Sequence, residues 1–166
     1  MQYSIMGALP NPLTSEDKYR YRLWRVWNEL RPTVCWVLLN PSTANATEDD
    51  PTLRKVVGFS AQWGFGAAVV VNLFAWRSTD PKGIPAMGDV AVGPENNEHI
   101  RAAVAECGVA VVVGWGSERM RGRDRAVRKL LPERVYAVKL NADGSPQHPL
   151  YVPYSSPLVL YTGTQR

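Results

Sequence analysis

Four short apolar runs are the clearest feature of this chain, and each is long enough for one buried strand. They span residues 34–39, 67–74, 109–114 and 135–140. Runs of this length, bounded by turn-forming or polar residues, are typical of strands buried on both faces of a sheet. The segments between them have helix length. The pattern therefore predicts a single α/β domain over residues 1–166: a three-layer α/β/α sandwich with a mostly parallel four-stranded sheet.

The segments between the runs carry helix signals of two kinds. One is a stripe of large apolar side chains at helical spacing, formed by Leu23, Trp27 and Leu30. The other is a capping pair, with Asp50 as N-cap and Pro51 at the first helical position. Helices are expected at residues 15–30, 51–63, 94–106 and 117–131, and an irregular arm at residues 1–14.

A long polar loop joins the first apolar run to the helix that starts at Pro51. Open α/β sheets place their ligands where the carboxyl end of a strand feeds such a loop and a helix N-terminus. The loop is also longer than most strand-to-helix connections. Its candidate ligand-binding or catalytic residues are Asn40, Ser42, Thr43, Asp49, Asp50 and, in the helix, Arg54. The alternative is an ordinary connection that ends in a well-capped helix.

Polar and aromatic residues stand at or after the ends of the other apolar runs as well. They are Asn72, Trp115 and His148. Asn72 either ties down the neighbouring loop or faces a ligand, because an unpaired buried amide is costly. His148 is either structural or functional. If the strands are parallel, their carboxyl ends meet at one edge. We therefore expect one cleft formed by Asn40, Asp49, Asp50, Arg54, Asn72 and His148.

Composition narrows the possible chemistry. The chain has 166 residues, 45% of them apolar and 20% charged, which is typical of a globular protein. Its two cysteines form no Cys-x-x-Cys pair, and it has two histidines, so we expect no disulfide framework, metal site or cofactor. No signal peptide or apolar run of spanning length is visible, so we expect a cytoplasmic protein without a membrane partner. The sequence does not indicate an oligomeric state.

The predicted helix over residues 117–131 is the most basic part of a chain whose formal charge is +4. Arg121, Arg125 and Arg128 are spaced four and three residues apart, which places them on one helical face. Such a face can lie along the phosphates of a nucleic acid. The alternative is a solvated basic face without a partner.

Four motifs together resemble a bacterial and phage family of unknown function: NPSTANATEDDPTLRK, VVVNLFAWRSTDP, VVVGWGS and HPLYVP. More distantly, they are similar to the uracil-DNA glycosylase superfamily. That resemblance implies a glycosylase-like fold, with Asn72 recognising a base, Trp115-Gly116 matching a third-strand pair and His148 matching a late His-Pro. The water-activating aspartate of the glycosylase loop has no counterpart within residues 40–43. Asp49 or Asp50 would have to serve instead.

We expect an enzyme directed at a nucleic-acid base or a nucleotide, acting as an N-glycosidase on a modified base. Asp49 or Asp50 would orient a water, and His148 would stabilise negative charge on the leaving base. Arg54 could pair with Asp50, which would leave Asp49 as the catalytic candidate. Asn40, Ser42, Thr43 and Trp115 would complete the substrate site. The alternative is a non-catalytic module that binds a nucleotide or single-stranded nucleic acid.

Overall fold

A computed structural model describes residues 4–8, 18–42, 44, 47–107, 110–118 and 120–163 of the chain. Within these ranges the fold is α/β, as predicted, and its strands form one mixed sheet. The strands are β1 Ser4–Ala8, β2 Leu23–Val26, β3 Thr33–Leu38, β4 Ala67–Asn72, β5 Ala110–Val113, β6 Tyr136–Ala137 and β7 Val159–Leu160. The helices are α1 Pro51–Gln62, α2 Asp89–Val92, α3 Asn96–Cys107 and α4 Arg123–Arg128, with 3-10 turns at Pro85–Met87 and Pro149–Tyr151.

The sheet has parallel strands at its centre and antiparallel strands at both edges. Its order is β1-β2-β4-β3-β5-β6-β7. Strands β4, β3, β5 and β6 are neighbours in that order and pair in parallel. They correspond to the four predicted apolar runs. β1, β2 and β7 join them antiparallel, so the prediction of a mostly parallel four-stranded sheet is corrected to a mixed sheet of seven strands among the described residues. The parallel centre still brings several strand carboxyl ends to one edge, which is where the candidate site lies.

The predicted helix over residues 15–30 is wrong within the described part of that range. Leu23–Val26 is strand β2, and its burial alternates between buried and half-buried positions as in a strand. Leu30, placed on the buried helical stripe by the sequence, is 97% exposed and lies in a turn. The period-two alternation of Tyr21, Leu23 and Arg25, all buried, is the signal that decides the local structure. Part of the arm expected to be irregular also forms a strand, β1, which pairs with β2.

Helices cover both faces of the sheet, because the central strands direct alternate side chains to opposite sides. On one face Val34 and Trp36 pack with Val56 and Phe59 of α1. The Trp36 indole N–H donates to the Ser60 hydroxyl at 2.9 Å, which satisfies a polar group inside this core. The other face packs α3 and α4, through residues that include Ile100 and Val127.

The remaining helix predictions differ mainly in their ends. α1 begins with Asp50 as N-cap and Pro51 at its first turn, as predicted. The helix expected over residues 117–131 is reduced to α4, Arg123–Arg128. Arg121 and Gly122 precede it with positive φ angles of 52° and 86°, a conformation that cannot continue into an α-helix. In the described ranges, no helix combines the length and apolar character needed to cross a bilayer.

Candidate functional site

A cleft of about 430 Å³ opens at the carboxyl edge of the central strands. We call it the carboxyl-edge cleft. Segments that follow β3, β4, β5 and β6 all contribute to its lining. The residues singled out from the sequence that line it are Asn40, Ser42, Asp50, Asn72, Trp115 and His148. The predicted meeting of separate strand ends at one edge therefore takes place for these residues.

The loop that carries His148 lies close to the end of β5 because residue 114 is a glycine. A methyl group at Gly114 would lie 3.0 Å from Cδ of Pro149 and 3.3 Å from Cδ2 of Leu38, closer than side chains normally pack. The Gly116 amide then donates to the Pro146 carbonyl at 2.9 Å. These contacts hold the His148 loop beside the β3 and β5 ends, and so place the imidazole in the cleft.

His148 is held as a neutral hydrogen-bond donor. Its Nδ1 accepts a hydrogen bond from the Leu150 amide at 3.3 Å, so in the neutral ring the proton is on Nε2. Burial lowers the pKa of His148 to about 4, and the nearby negative charge of Asp50 opposes that effect. Near pH 7 the ring can therefore donate from Nε2 without carrying a positive charge.

Asp50 belongs both to helix α1 and to the cleft. One carboxylate oxygen, Oδ1, accepts from the Leu53 amide at 2.8 Å and caps the helix. The other, Oδ2, accepts from the Ala44 amide at 3.3 Å. Two main-chain donors therefore fix the orientation of this carboxylate at the cleft wall.

Asp49 has a different environment. Its Oδ1 accepts from Nε of Arg25 at 2.8 Å, and the two side chains are only 9% and 0% exposed. Burial raises the pKa of Asp49, while the positive charge of Arg54 opposes the rise. Arg54 is exposed and donates to the Asp49 main-chain oxygen at 3.0 Å, not to the Asp50 side chain. Neither Asp49 nor Arg54 is among the residues that line the cleft. The six-residue convergence expected from the sequence is therefore corrected to four residues.

The amides of the cleft differ in what they bind. Nδ2 of Asn40 donates to the main-chain oxygens of Pro41 and Ser78, both at 2.9 Å, so this side chain joins two loops. Asn72 is the last residue of β4 and is 4% exposed. Its main-chain oxygen accepts from Asn96 at 2.9 Å, and the residue lines the cleft. Ser42 is a half-buried lining residue, whereas Thr43 lies outside the described residues.

Trp115 is a core residue with one edge at the cleft. It is 1% exposed and packs edge-on against Tyr161, with the ring centroids 5.4 Å apart. Its indole N–H has no hydrogen-bond partner within the described part of the chain. A residue buried to this extent supports the cleft wall and does not present an open stacking surface.

A protein-family comparison matches residues 20–150, which include every described cleft residue discussed so far. The chain belongs to the family described as Protein of unknown function (DUF1643). Comparison with curated proteins gives no match, and comparison with solved structures gives none. The matched range covers the parallel strands and the cleft residues up to Leu150, and the family assigns no activity to them.

Arg20 and Tyr151 are among the cleft residues of this DUF1643 chain that were not singled out from the sequence. Arg20 is 6% exposed and lines the cleft, and its position falls within the helix predicted over residues 15–30, which does not form in the described part of that range. Period-two alternation could not have found it, because Arg20 is adjacent to Tyr21 and both residues are buried. Tyr151 lies at the cleft, 74% exposed, with its ring centroid 6.0 Å from that of His148. Its position could be found only once the His148 loop was located.

The arginines of residues 121–128 do not form the expected helical face. Arg121 lies before α4, and Arg128 donates to the Pro132 and Glu133 main-chain oxygens at 2.8 and 2.6 Å. Arg125 is exposed, so a contact between these arginines and a polyanion stays a prediction. Arg123 instead donates to the Leu73 carbonyl at 2.7 Å, and burial lowers its pKa to about 10.

Metal ligands are not grouped in this site. Across the described ranges, no three His, Cys, Asp or Glu side chains lie close enough together to hold a metal ion. The hydrogen-bonding groups that the carboxyl-edge cleft offers to a ligand are an imidazole, amides, hydroxyls, two carboxylates and an arginine. This set is suited to hydrogen bonding with a polar ligand of moderate size.

Proposed function

We propose that this chain binds a nucleobase or nucleotide in the carboxyl-edge cleft and hydrolyses its N-glycosidic bond. The observation that carries the proposal is the meeting of Asp50, Asn72 and a neutral His148 in one cleft, each delivered by a different segment. A carboxylate, an amide and an imidazole donor supply the three functions that such a hydrolysis needs: a base for water, a recognition group and stabilisation of the leaving group.

The size and lining of the cleft support a ligand of about nucleoside size. Its volume of about 430 Å³ lies within the range of small-molecule sites. Apolar side chains such as Leu38, Leu53 and Leu150 form part of its wall, and polar side chains such as Asn40, Asn72 and Gln147 form another part. Tyr151 adds an exposed aromatic ring beside His148, on which a planar base can stack.

The proposed reaction uses the cleft residues as follows. Asn72 hydrogen-bonds the edge of the base. Asp50 orients a water and accepts its proton as the water oxygen bonds to the sugar C1′. The bond from C1′ to the base nitrogen breaks, and its electron pair leaves with the base. His148 donates a hydrogen bond from Nε2 to the base as negative charge develops there, and the base then takes a proton from solvent. The products are the free base and a sugar with a hydroxyl at C1′.

We also propose that the fold is of the uracil-DNA glycosylase type. A glycosylase-like arrangement is supported by the motif resemblance and by the parallel strands β4-β3-β5-β6, which bring Asn72 and the His148 loop to one edge. The proposed partner is a nucleic acid or a nucleotide. A phosphate backbone would run outside the cleft, where Arg125 and Arg54 are exposed.

One observation favours a second function, a non-catalytic module that binds a nucleotide or single strand. Both carboxylate oxygens of Asp50 already accept main-chain hydrogen bonds, from Leu53 and Ala44. A carboxylate held in this way is a weaker base, since hydrogen bonds to the charged form favour that form. In this alternative Asp50 shapes the wall of the cleft, and Asn72 and His148 bind the ligand.

Asp50→Asn separates the two functions, because asparagine is also a good N-cap. It can keep the 2.8 Å bond from the Leu53 amide and loses the longer bond from Ala44. A panel of modified oligonucleotides and nucleosides is incubated with each protein and analysed by mass spectrometry. For an enzyme, Asp50→Asn lowers turnover by about 10²–10⁴-fold and keeps ligand affinity.

Asn72→Ala is the companion variant and should weaken binding whether or not the chain is an enzyme. Glu29→Gln, at an exposed position outside the cleft, is the control for the cleft substitutions. If the unmodified chain binds a ligand but releases no base, the glycosidase proposal fails and the non-catalytic binding module is the function supported. Failure of every nucleoside and oligonucleotide to bind would overturn both functions.

A further inference from the structure

Four residues with a carboxamide side chain line the carboxyl-edge cleft, and they differ in whether the protein already binds that group. They are Asn40, Asn72, Asn141 and Gln147. Nδ2 of Asn40 donates to two main-chain oxygens, and Nδ2 of Asn141 donates to the Ser145 hydroxyl at 3.0 Å. Within the described part of the chain, the side chains of Asn72 and Gln147 make no hydrogen bond. Two of the four amides are therefore left for a ligand.

Asn72 is the more buried of these two residues. It ends strand β4 and is 4% exposed. A buried amide without a partner is costly, and folded proteins seldom contain one. The Asn72 amide is not among the unpartnered polar atoms that are sealed from solvent, and the residue lines the carboxyl-edge cleft. The cleft is therefore where this amide can find its hydrogen-bond partner.

The end of strand β3 separates Asn72 from Gln147. Leu38 of β3 pairs in register with Asn72 on one side. On the other side is Gly114, where a Cβ atom would lie 3.3 Å from Cδ2 of Leu38 and 3.5 Å from the Gln147 carbonyl oxygen. Neighbouring strands are about 4.8 Å apart, so the strands that flank β3 are about 10 Å apart. Since Leu38 also lines the cleft, a ligand seated over it has an amide-bearing residue on each side.

A planar base held between two amides must carry hydrogen-bonding atoms on two edges. A carboxamide offers a donor and an acceptor together, and Asn or Gln pairs in this way with N6 and N7 of adenine. A pyrimidine has its polar atoms along one edge and the carbons C5 and C6 along the opposite edge. A purine has polar atoms on its Watson–Crick edge and a further acceptor, N7, on its five-membered ring. We propose that Gln147 is a second base-recognising residue, and that the base which it and Asn72 recognise, one edge each, is a purine.

This inference rests on the proposed function, because it names the base that the carboxyl-edge cleft accepts. Gln147 is half-buried and immediately precedes His148, whose Nε2 is the neutral donor of the cleft. One loop thus carries both a group that recognises the base and the group that donates to it. The cleft volume of about 430 Å³ is sufficient for a purine and its sugar.

The test measures binding of free bases by isothermal titration calorimetry with the whole chain, because a free base has no glycosidic bond to break. Adenine and hypoxanthine should bind at least about tenfold more tightly than uracil and cytosine. Gln147→Met keeps the length of the side chain and removes its hydrogen-bonding atoms. It should weaken purine binding by about 5- to 150-fold, the range for one two-point contact with a base, and leave pyrimidine binding unchanged. Gln62→Met makes the same substitution at an exposed glutamine outside the cleft and should change neither.

Two results would overturn the inference. One is equal binding of purines and pyrimidines by the unmodified chain, and the other is undiminished purine binding by Gln147→Met. If Gln147→Met does not fold, as judged by circular dichroism, the unmodified chain is titrated with 1-deazaadenine and 7-deazaadenine. Each should bind more weakly than adenine, and a loss with only one of them would show that a single edge is recognised.

These outcomes are separate from the fate of the proposed hydrolysis. Purine-selective binding without release of a base from any nucleoside would remove the hydrolysis and leave the role of Gln147 in place. Release of bases without a preference for purines would do the reverse. If no base or nucleoside binds, both proposals fail together.

Discussion

The carboxyl-edge cleft and a second cleft, whose lining includes Arg22, Arg25 and Glu106, use their polar residues in opposite ways. The charges of the second cleft form pairs: Arg22 with Glu106 inside it, and Arg25 with Asp49 outside its lining. These pairs join β2 to α3 and to the loop that precedes α1. In the carboxyl-edge cleft, main-chain amides orient Asp50 and His148. Side chains that neutralise each other hold elements together, whereas side chains oriented by the backbone keep some of their hydrogen-bonding capacity for a ligand.

Removing Arg25 should have the largest effect on stability. Arg25→Met leaves the 9%-exposed Asp49 side chain without its guanidinium partner, and breaking a buried ion pair in this way typically costs about 3–5 kcal/mol. Chemical denaturation measures the free energy of unfolding. Arg125→Met, at an exposed arginine, is the matched control and should change it by less than about 0.5 kcal/mol. Equal effects of the two substitutions would show that the Arg25–Asp49 pair does not hold the β2 side together.

Acid should destabilise the protein through His148. Its folded-state pKa of about 4 lies below the ordinary value of 6.5, so between these values the unfolded chain binds a proton that the folded chain does not. Stability from this residue is therefore complete above pH 6.5 and falls as the pH drops towards 4, by up to about 3 kcal/mol. His148→Asn should flatten the profile of unfolding free energy against pH.

His99 is the control for this pH dependence. Burial also lowers its pKa, and its ring stacks on Tyr21 with the centroids 4.7 Å apart. His99→Asn should therefore leave the His148 part of the profile in place. An inflection of His148 near pH 6.5, measured by NMR titration of the folded chain, would contradict a neutral donor in the carboxyl-edge cleft.

The smallest effect is expected at the outer pair of the second cleft. Glu106 has a side chain that is 58% exposed, so its pairing with Arg22 is screened by solvent. Glu106→Gln should lower the free energy of unfolding by less than about 1 kcal/mol, and added salt should reduce the difference further. A loss as large as that of Arg25→Met would mean that the two ion pairs act as one network.

The central strands and the capped helix α1 could be predicted because their signals are local. The apolar runs and the pair Asp50-Pro51 each carry their structural information within a few residues. β2 could not be placed in the same way, since the spacing of Leu23, Trp27 and Leu30 also fits a helix. What places Leu23–Val26 in the sheet is pairing with β4, whose residues lie more than forty positions further along.

The candidate site shows the same limit. Asn72, Asp50 and His148 could be selected because polar residues at strand ends are informative without any knowledge of contacts. Asp49 and Asp50 are adjacent and chemically identical, so the sequence could not distinguish them. The distinction comes from Arg25, twenty-four residues before Asp49, which binds one of the two carboxylates and not the other.

The double use of Asp50 couples the ligand to the helix. A ligand or water that draws an Asp50 oxygen into the cleft competes with the amides of Leu53 and Ala44 for the same carboxylate. Ligand binding then destabilises the first turn of α1, which lowers the net binding free energy. Conversely, a change that stabilises this turn should weaken ligand binding. The Leu53 amide thus becomes an internal reporter: its rate of hydrogen exchange should change when the cleft is occupied, even for a ligand that touches no other part of α1.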